Sequence, residues 1–288
     1  MSSTVLTAVH QRRPRMTGAE ERIADFILAD PAAIPGLTIT ALAEASGVST
    51  GSIVRFCRGV ADMGYPEFRL ALASELGRES RSRERFKISD GEVSPTDTPA
   101  QTVSKIAFME AETIERTARD LDLDALEYVV ESLISARRID IYGSGSSALA
   151  GQDLQHKLHR AGYFAQSWTD QHLALTSSSL LGAEDVAIAL SHSGRTQESV
   201  EALRIARATG ARTIAITNAP ESPLALAADL VLTTAANETR YRSGAMASRI
   251  AQLAVIDFIF VRIAQRGFDR MASNLHLSFE AVKGHRID

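Results

Sequence analysis

TITALAEASGVSTGSIVRFCR, residues 38–58, spells two short helices with a turn between them. Thr38 is placed to cap a first helix bearing Ile39, Leu42 and Ala43, and Ser49 to cap a second bearing Ile53, Val54 and Phe56. Ala43 is small enough to let the helices approach. Gly47 can take the left-handed turn that a Cβ would penalise, and Val48 with Ile53 plugs the corner. This is helix-turn-helix spacing. The second helix then presents Ser49, Thr50, Gly51, Ser52, Arg55 and Arg58 outward, in position to enter a DNA major groove. No acid occurs between Glu44 and Asp62, so a phosphate backbone would meet two arginines and several hydroxyls without local repulsion. Ser49, Thr50, Ser52, Arg55 and Arg58 are the expected DNA contacts.

Upstream, Thr17-Gly18-Ala19-Glu20 has capping-box spacing, followed by Ile23, Phe26 and Ile27 on one face, which predicts a helix over 18–29 ending before Pro31. The basic run Arg12-Arg13-Pro14-Arg15 reads as a solvated terminus before it reads as a DNA-tracking arm. Cys57 is the single cysteine, which excludes a disulfide framework and a thiolate zinc site; it reads as a packed residue and fits a reducing cytoplasm. The N-terminus lacks a signal-peptide core, and the most apolar run, 250–263, is broken by Gln252, Asp257 and Arg262, which suits a buried helix and not a membrane span.

Downstream the pattern changes. Residues 78–100 are rich in charge, Ser, Pro and Gly and read as a linker between a domain over 1–77 and another over 101–288. Charge divides with them. Split at residue 90, the chain holds 12 basic and 11 acidic side chains before it, net +1, and 19 and 24 after it, net −5, so the two parts differ in sign. Beyond the linker, strand-like runs alternate with helical ones, the pattern of a three-layer α/β doubly wound parallel sheet. RIDIY (138–142) leads through Gly143-Ser144-Gly145-Ser146-Ser147 into a helix over 148–161. DVAIAL (185–190) leads through Ser191-His192-Ser193-Gly194-Arg195-Thr196 into a helix over 197–208. Strands at 213–217 and 230–233 and a long apolar helix over 245–265 complete the series.

A glycine-rich turn feeding a helix start is an anion site, because unpaired backbone N–H groups and the positive dipole end converge there. The first turn by itself also fits a dinucleotide fingerprint, with Asp170 at the distance of a ribose contact. Two hydroxyl-rich loops at one sheet edge favour a single small phosphorylated ligand instead.

IVRFCR followed by GYPEFRLAL, then GSGSSALAGQDLQHKL, ALSHSGRT and RSGAMASRIAQLAVID, span most of residues 16–266. In this combination the chain resembles the RpiR/MurR family of bacterial transcriptional regulators. The resemblance implies an all-α helix-turn-helix domain joined to a SIS (sugar isomerase) domain, with a sugar phosphate held by Ser146, Ser147, Ser191, Ser193 and Thr196 and with Gly194 allowing close backbone approach. The chain departs from the family at Val60-Ala61-Asp62, where Leu-Gly-Phe is usual.

A phosphosugar isomerase or lyase with a vestigial head is the alternative, and it needs a carboxylate or imidazole near the sugar carbons. Glu198, Glu238 and His192 read as surface groups. His172, after a strand, is kept as a ligand contact. The helix over 245–256 holds no acid, the nucleophile elbow of serine hydrolases is missing, and no metal-ligand cluster stands out among seven histidines, so no catalytic residue, cofactor or metal is expected. The expected partners are operator DNA and a phosphosugar effector. Paired heads on half-sites about 34–36 Å apart call for a homodimer or homotetramer, joined through the SIS domain.

Overall fold

Residues 5–85, 93–238 and 245–283 are described by a computed structural model, in which the chain divides into two units, Met1–Asp120 and Leu121–Asp288. The first unit is helical: α1 Val5–Arg12, α2 Ala19–Ala29, α3 Ile39–Ser46, α4 Thr50–Ala61, α5 Tyr65–Arg85 and α6 Pro99–Asp120. Its core gathers one stripe from each of the first five helices, with Ile23, Ile27, Leu42, Ile53, Phe56, Phe68 and Leu72 removed from solvent. The Phe56 and Phe68 rings meet edge to face at 6.2 Å, which ties α4 to α5.

Helix α2 forms where its periodicity places it, but the capping box does not. The helix begins at Ala19, so the capping position falls on Gly18, at φ 60°, and Thr17 lies one residue too early to bond the first turn. Arg13 ties the preceding segment down instead, bonding Glu21 at 3.0 Å and Asp25 at 2.5 Å. That guanidinium holds the Asp25 carboxyl below the usual carboxylate range. Arg12 donates to the Gly59 carbonyl of α4, so the basic run is knitted into the head. Of the segment read as a linker, residues 78–85 continue α5 as helix and residues 86–92 lie outside the described residues. Helix α6 groups with the first unit.

The second unit opens with α7 Leu123–Ser135 and then alternates β1 Arg138–Gly143, α8 Ser146–Arg160, β2 Ala165–Trp168, α9 Gln171–Ser178, β3 Asp185–Leu190, α10 Gln197–Ala208, β4 Arg212–Thr217, α11 Pro223–Ala227, β5 Leu230–Thr233, α12 Met246–Arg266 and α13 Phe268–Lys283. All five strands are parallel in the order β2-β1-β3-β4-β5. The chain therefore turns back on itself between β1 and β3, with Gly143 paired to Leu190 at their carboxyl ends.

Alternation along the strands builds two different faces. Ile139, Ile141, Val186, Ile188, Leu190, Ile214 and Ile216 pack against α7, α8, α12 and α13. Ala187, Ala189 and Ala215 point the other way, and the small faces admit α10, itself lined by Ala202, Leu203 and Ala206. No helix among the described residues is long and apolar enough to cross a membrane.

On the alanine face of β1, Asp140 is fully buried. Arg138 bonds both its oxygens (2.8 and 3.0 Å), while the Tyr142 hydroxyl (3.1 Å) and Ser177 Oγ (2.5 Å) donate to Oδ2. Burial and the Asp140 charge push the Tyr142 phenol up. Asp140→Ala leaves these donors without their acceptor and is expected to lower the stability of the α/β unit by about 3 kcal/mol, measured by urea unfolding.

Candidate functional site

Two surfaces collect the residues singled out above. In the head, Thr38 Oγ1 accepts from Ala41 N at 3.1 Å and starts α3; Gly47, at φ 65°, ends it, and Val48 N returns to Ala43 O at 2.9 Å. Ser49 Oγ then accepts from Ser52 N at 3.2 Å and starts α4. The turn is thus closed by hydrogen bonds on both sides.

Helix α4 buries Ile53, Phe56, Cys57 and Val60, and leaves Ser49, Thr50, Gly51, Arg55 and Arg58 exposed with Ser52 half-buried. Arg55 Nη2 donates to Ser52 Oγ at 3.1 Å, and Ser52 Oγ lies 3.0 Å from Ser49 Oγ, so a guanidinium is tethered along the start of the helix. Val54 departs from expectation. With Ile53 in the core, the next residue is rotated by about 100°, which turns Val54 to the outer face, where it is 38% exposed. At Val60-Ala61-Asp62 the helix ends with Asp62 in the left-handed conformation, at φ 51°. Cys57 is buried, and burial pushes its thiol up to about 12.

In the α/β unit, β1 and β3 deliver their loops side by side, because Gly143 and Leu190 are register partners. Helix α8 begins at Ser146, two residues earlier than the sequence suggests, because Gly145 at φ 59° already turns the chain. Ser146 and Ser147 accordingly sit in its first turn, both half-buried. Gly143 is required for this: a Cβ there would lie 2.9 Å from the Ser147 carbonyl oxygen.

The second loop is more tightly built. Ser191 is buried; its Oγ lies 2.8 Å from Thr196 Oγ1 and accepts from Gly194 N at 3.1 Å. Ser193 is exposed and accepts from Arg195 N at 3.3 Å, while Thr196 is half-buried at the start of α10. Gly194, at φ 62°, faces Ser222 so closely that a Cβ would fall 1.9 Å from its Oγ. The expected serines therefore divide: Ser191 holds the loop together and Ser193 faces solvent.

Sequence reading missed Gln252. It lies on α12, 105 residues from Ser147, is buried, and its Nε2 donates to Ser147 Oγ at 3.1 Å. With its oxygen accepting there, the Ser147 hydroxyl proton is directed elsewhere. A glutamine inside an apolar helix was the available signal, but its partner depends on tertiary contact.

Beside the two loops, a cleft of about 130 Å³ is lined by Tyr142, Ser144, Trp168, Asp170, Glu198 and Ser199 among others. At its wall, Trp168 Nε1 and Ser199 Oγ are buried without a hydrogen-bond partner. Asp170 Oδ1 accepts from Leu173 N at 2.9 Å, so it caps α9. His172 is exposed on the first turn of α9. Glu238 Oε1 accepts from Ser248 N at 2.8 Å and closes the start of α12, while Glu198 is exposed at the start of α10. Arg242, Ser243 and Gly244 of the RSGAMASRIAQLAVID motif lie outside the described residues. A larger cavity, about 540 Å³, opens at the opposite strand ends among Arg137, Glu184, Asp185 and Arg212, with Arg137 and Asp185 already paired at 2.7 Å. No loop feeding a helix start lines it, whereas Gly143 and Ser144 of the first loop and Glu198 and Ser199 of α10 line the smaller cleft, which is the candidate; the expected Ser146, Ser147, Ser191, Ser193 and Thr196 lie in the adjoining loops and not in its lining.

Comparison with known proteins gives a match of residues 3–79 to the helix-turn-helix domain of the rpiR family and of residues 132–262 to the SIS domain. An uncharacterized HTH-type transcriptional regulator of Caldanaerobacter subterraneus is 35% identical over 99% of both chains. A second, from Haemophilus influenzae, is 32% identical over 99% of both. Among solved structures, the Vibrio vulnificus NanR protein complexed with ManNAc-6P covers 99% of this chain and 100% of its own, at 26% identity and a TM-score of 0.63. The sugar isomerase domain of an RpiR transcription factor from Sphaerobacter thermophilus covers 62% of this chain and 99% of its own, at 25% identity and a TM-score of 0.58.

Two outcomes are expected. Gly194→Ala forces a side chain into a left-handed position against Ser222 and should lower stability by about 2 kcal/mol or more, read as a shift in the urea midpoint. Cys57, buried and held as the thiol, should resist iodoacetamide at pH 8 in the native protein and react once urea unfolds it.

Proposed function

The chain belongs to the rpiR family of helix-turn-helix transcriptional regulators that carry a SIS domain, and from that membership we propose that a phosphorylated sugar bound in the SIS domain controls its grip on operator DNA in the regulation of carbohydrate metabolism. The observation that supports this reading is the pairing of Gly143 with Leu190, which sets the ends of β1 and β3, each leading through a hydroxyl-bearing loop into a helix, side by side where the strand order reverses. The phosphate is held by Ser146, Ser147, Ser193 and Thr196 together with the first-turn N–H groups of α8 and α10. Ser191 and Gly194 shape the second loop, and Gln252 turns the Ser147 proton toward the anion. His172 meets the ligand at the rim. The unpartnered Trp168 Nε1 and Ser199 Oγ support a site completed by its ligand, since buried donors without acceptors are rare.

We read the SIS domain as a receptor and not as a catalyst: Glu238 is engaged in capping α12, and Asp170 in capping α9. The same cap disfavours a nicotinamide cofactor held by Asp170. The ligand of the NanR structure, ManNAc-6P, is a phosphosugar of the class proposed here. The regulator acts in the cytoplasm as a homodimer or homotetramer joined through the SIS domain, where the exposed Val261, Phe268 and Leu277 of α12 and α13 supply apolar surface. We keep residues 1–77 as the DNA-binding domain, 78–100 as the linker and 101–288 as the SIS domain, with α6 grouping by its contacts with the first unit. Ligand shifts DNA affinity only in so far as it prefers one arrangement of the heads.

Arg55→Ala should weaken promoter binding about ten-fold or more while leaving phosphosugar binding unchanged. Ser193→Ala should weaken ligand binding while leaving basal DNA binding intact. Fluorescence anisotropy on promoter DNA and thermal-shift titration with a panel of sugar phosphates read the two separately. Loss of both activities in either variant, or turnover of a sugar phosphate by the wild type, would reject the scheme.

A further inference from the structure

We propose that Val54 and the bare backbone of Gly51 form a seat for the C5-methyl group of a thymine, so that the head reads a T·A pair by apolar contact beside Arg55 and Arg58. The proposal rests on the DNA-binding reading and specifies what α4 reads. Val54 stands apart from the other apolar residues of α4: Ile53, Phe56, Cys57 and Val60 are buried, whereas Val54 belongs neither to the core nor to the partly buried residues packed on it. Scattered apolar side chains are common on protein surfaces. The position of this one is what matters. It lies four residues after Thr50 and four before Arg58, at the edge of the exposed face next to the core stripe, with Gly51 and Arg58 toward the middle of that face. Thr50 to Arg58 spans about 12 Å of helix, the length of three to four base pairs.

Gly51 supplies an independent observation. Its φ is not in the left-handed region, and a Cβ there would meet only Arg55 Nη1 and Ser49 Oγ, each at 3.7 Å, an ordinary contact. Nothing inside the head therefore requires glycine at this position. The missing side chain instead opens a shallow step on the outer surface next to Val54, through which the helix can approach a base edge closely. A valine offers neither donor nor acceptor, and among the groups of the major groove only the thymine methyl is complementary to it. Arg55, tethered to Ser52, and Arg58 lie on the C-terminal side of the seat and supply positive charge on the same exposed face. They bring the helix down onto the groove, and the methyl contact then favours thymine over cytosine at that step.

The test uses full-length protein and duplexes enriched by it from a random pool. Each thymine is replaced in turn by deoxyuridine, which removes the C5-methyl and leaves the hydrogen-bonding edge intact. At one thymine per half-site the wild type should lose about four-fold in affinity, the worth of one buried methyl. Val54→Ala, weaker on the parent duplex, should lose nothing further there. Gly51→Ala should melt at or above the wild-type temperature and yet bind about ten-fold more weakly, because its methyl holds the helix off the groove. The seat is overturned if no deoxyuridine substitution weakens the wild type, if Val54→Ala keeps the full sensitivity, or if Gly51→Ala binds as tightly as the wild type. Failure to enrich any duplex overturns the DNA-binding reading itself, and the seat with it.

Discussion

Strand β3 is buried along its whole length, and the α/β unit is organised by that burial. With helices over both faces, every residue from Asp185 to Leu190 must find a partner, and the alternation of Val, Ile and Leu with Ala sets how far each helical layer stands from the sheet. The bulky side supports four helices. On the alanine side α10 lies close, so its first turn and the loop before it are held against the sheet edge. Because β1 pairs with β3 in register, the first loop emerges beside the second at one sheet edge. The placement of the two loops follows from strand order and side-chain size.

The loops themselves are rigid for identifiable reasons. Ser191, Thr196 and Gly194 N form a closed hydrogen-bonded turn, and Gly194 is backed against Ser222 and Thr217 with no room for a side chain. Gly143 is hemmed in by the backbone of the first turn of α8. A preformed cradle loses little conformational entropy on binding, which suits a receptor for a small metabolite. Asp140 of β1, which accepts from Ser177 Oγ of α9 as well as from Arg138 and Tyr142, fastens β1 to α9.

The head obeys the same logic with fewer residues. Gly47 in the left-handed conformation and two serine and threonine caps fix the angle between α3 and α4, and the Phe56–Phe68 contact fixes α4 against α5. The outer face of α4 beyond the Ser49 cap, with Thr50, Arg55 and Arg58, stays exposed. Arg13 with Glu21 and Asp25, and Arg12 on the Gly59 carbonyl, brace the opposite end.

Local pattern was enough to determine the helix-turn-helix, four of the five strands with their order of appearance, and the two serine-rich loops, since each is written within about twenty residues by period, caps and glycines. The family was legible in the same motifs. Tertiary structure decided the remainder. Thr17 cannot cap α2, because the helix starts one residue later than a box centred on it requires. Val54 faces outward because the core takes Ile53. Ser191 faces inward because Thr196 returns to it. Gln252 meets Ser147 across 105 residues only because folding brings distant segments together, and Glu238 reaches the start of α12 across a ten-residue loop that periodicity does not describe. Periodicity reports which face of an element is apolar, but which hydroxyl stays available to a ligand depends on the neighbours that packing supplies.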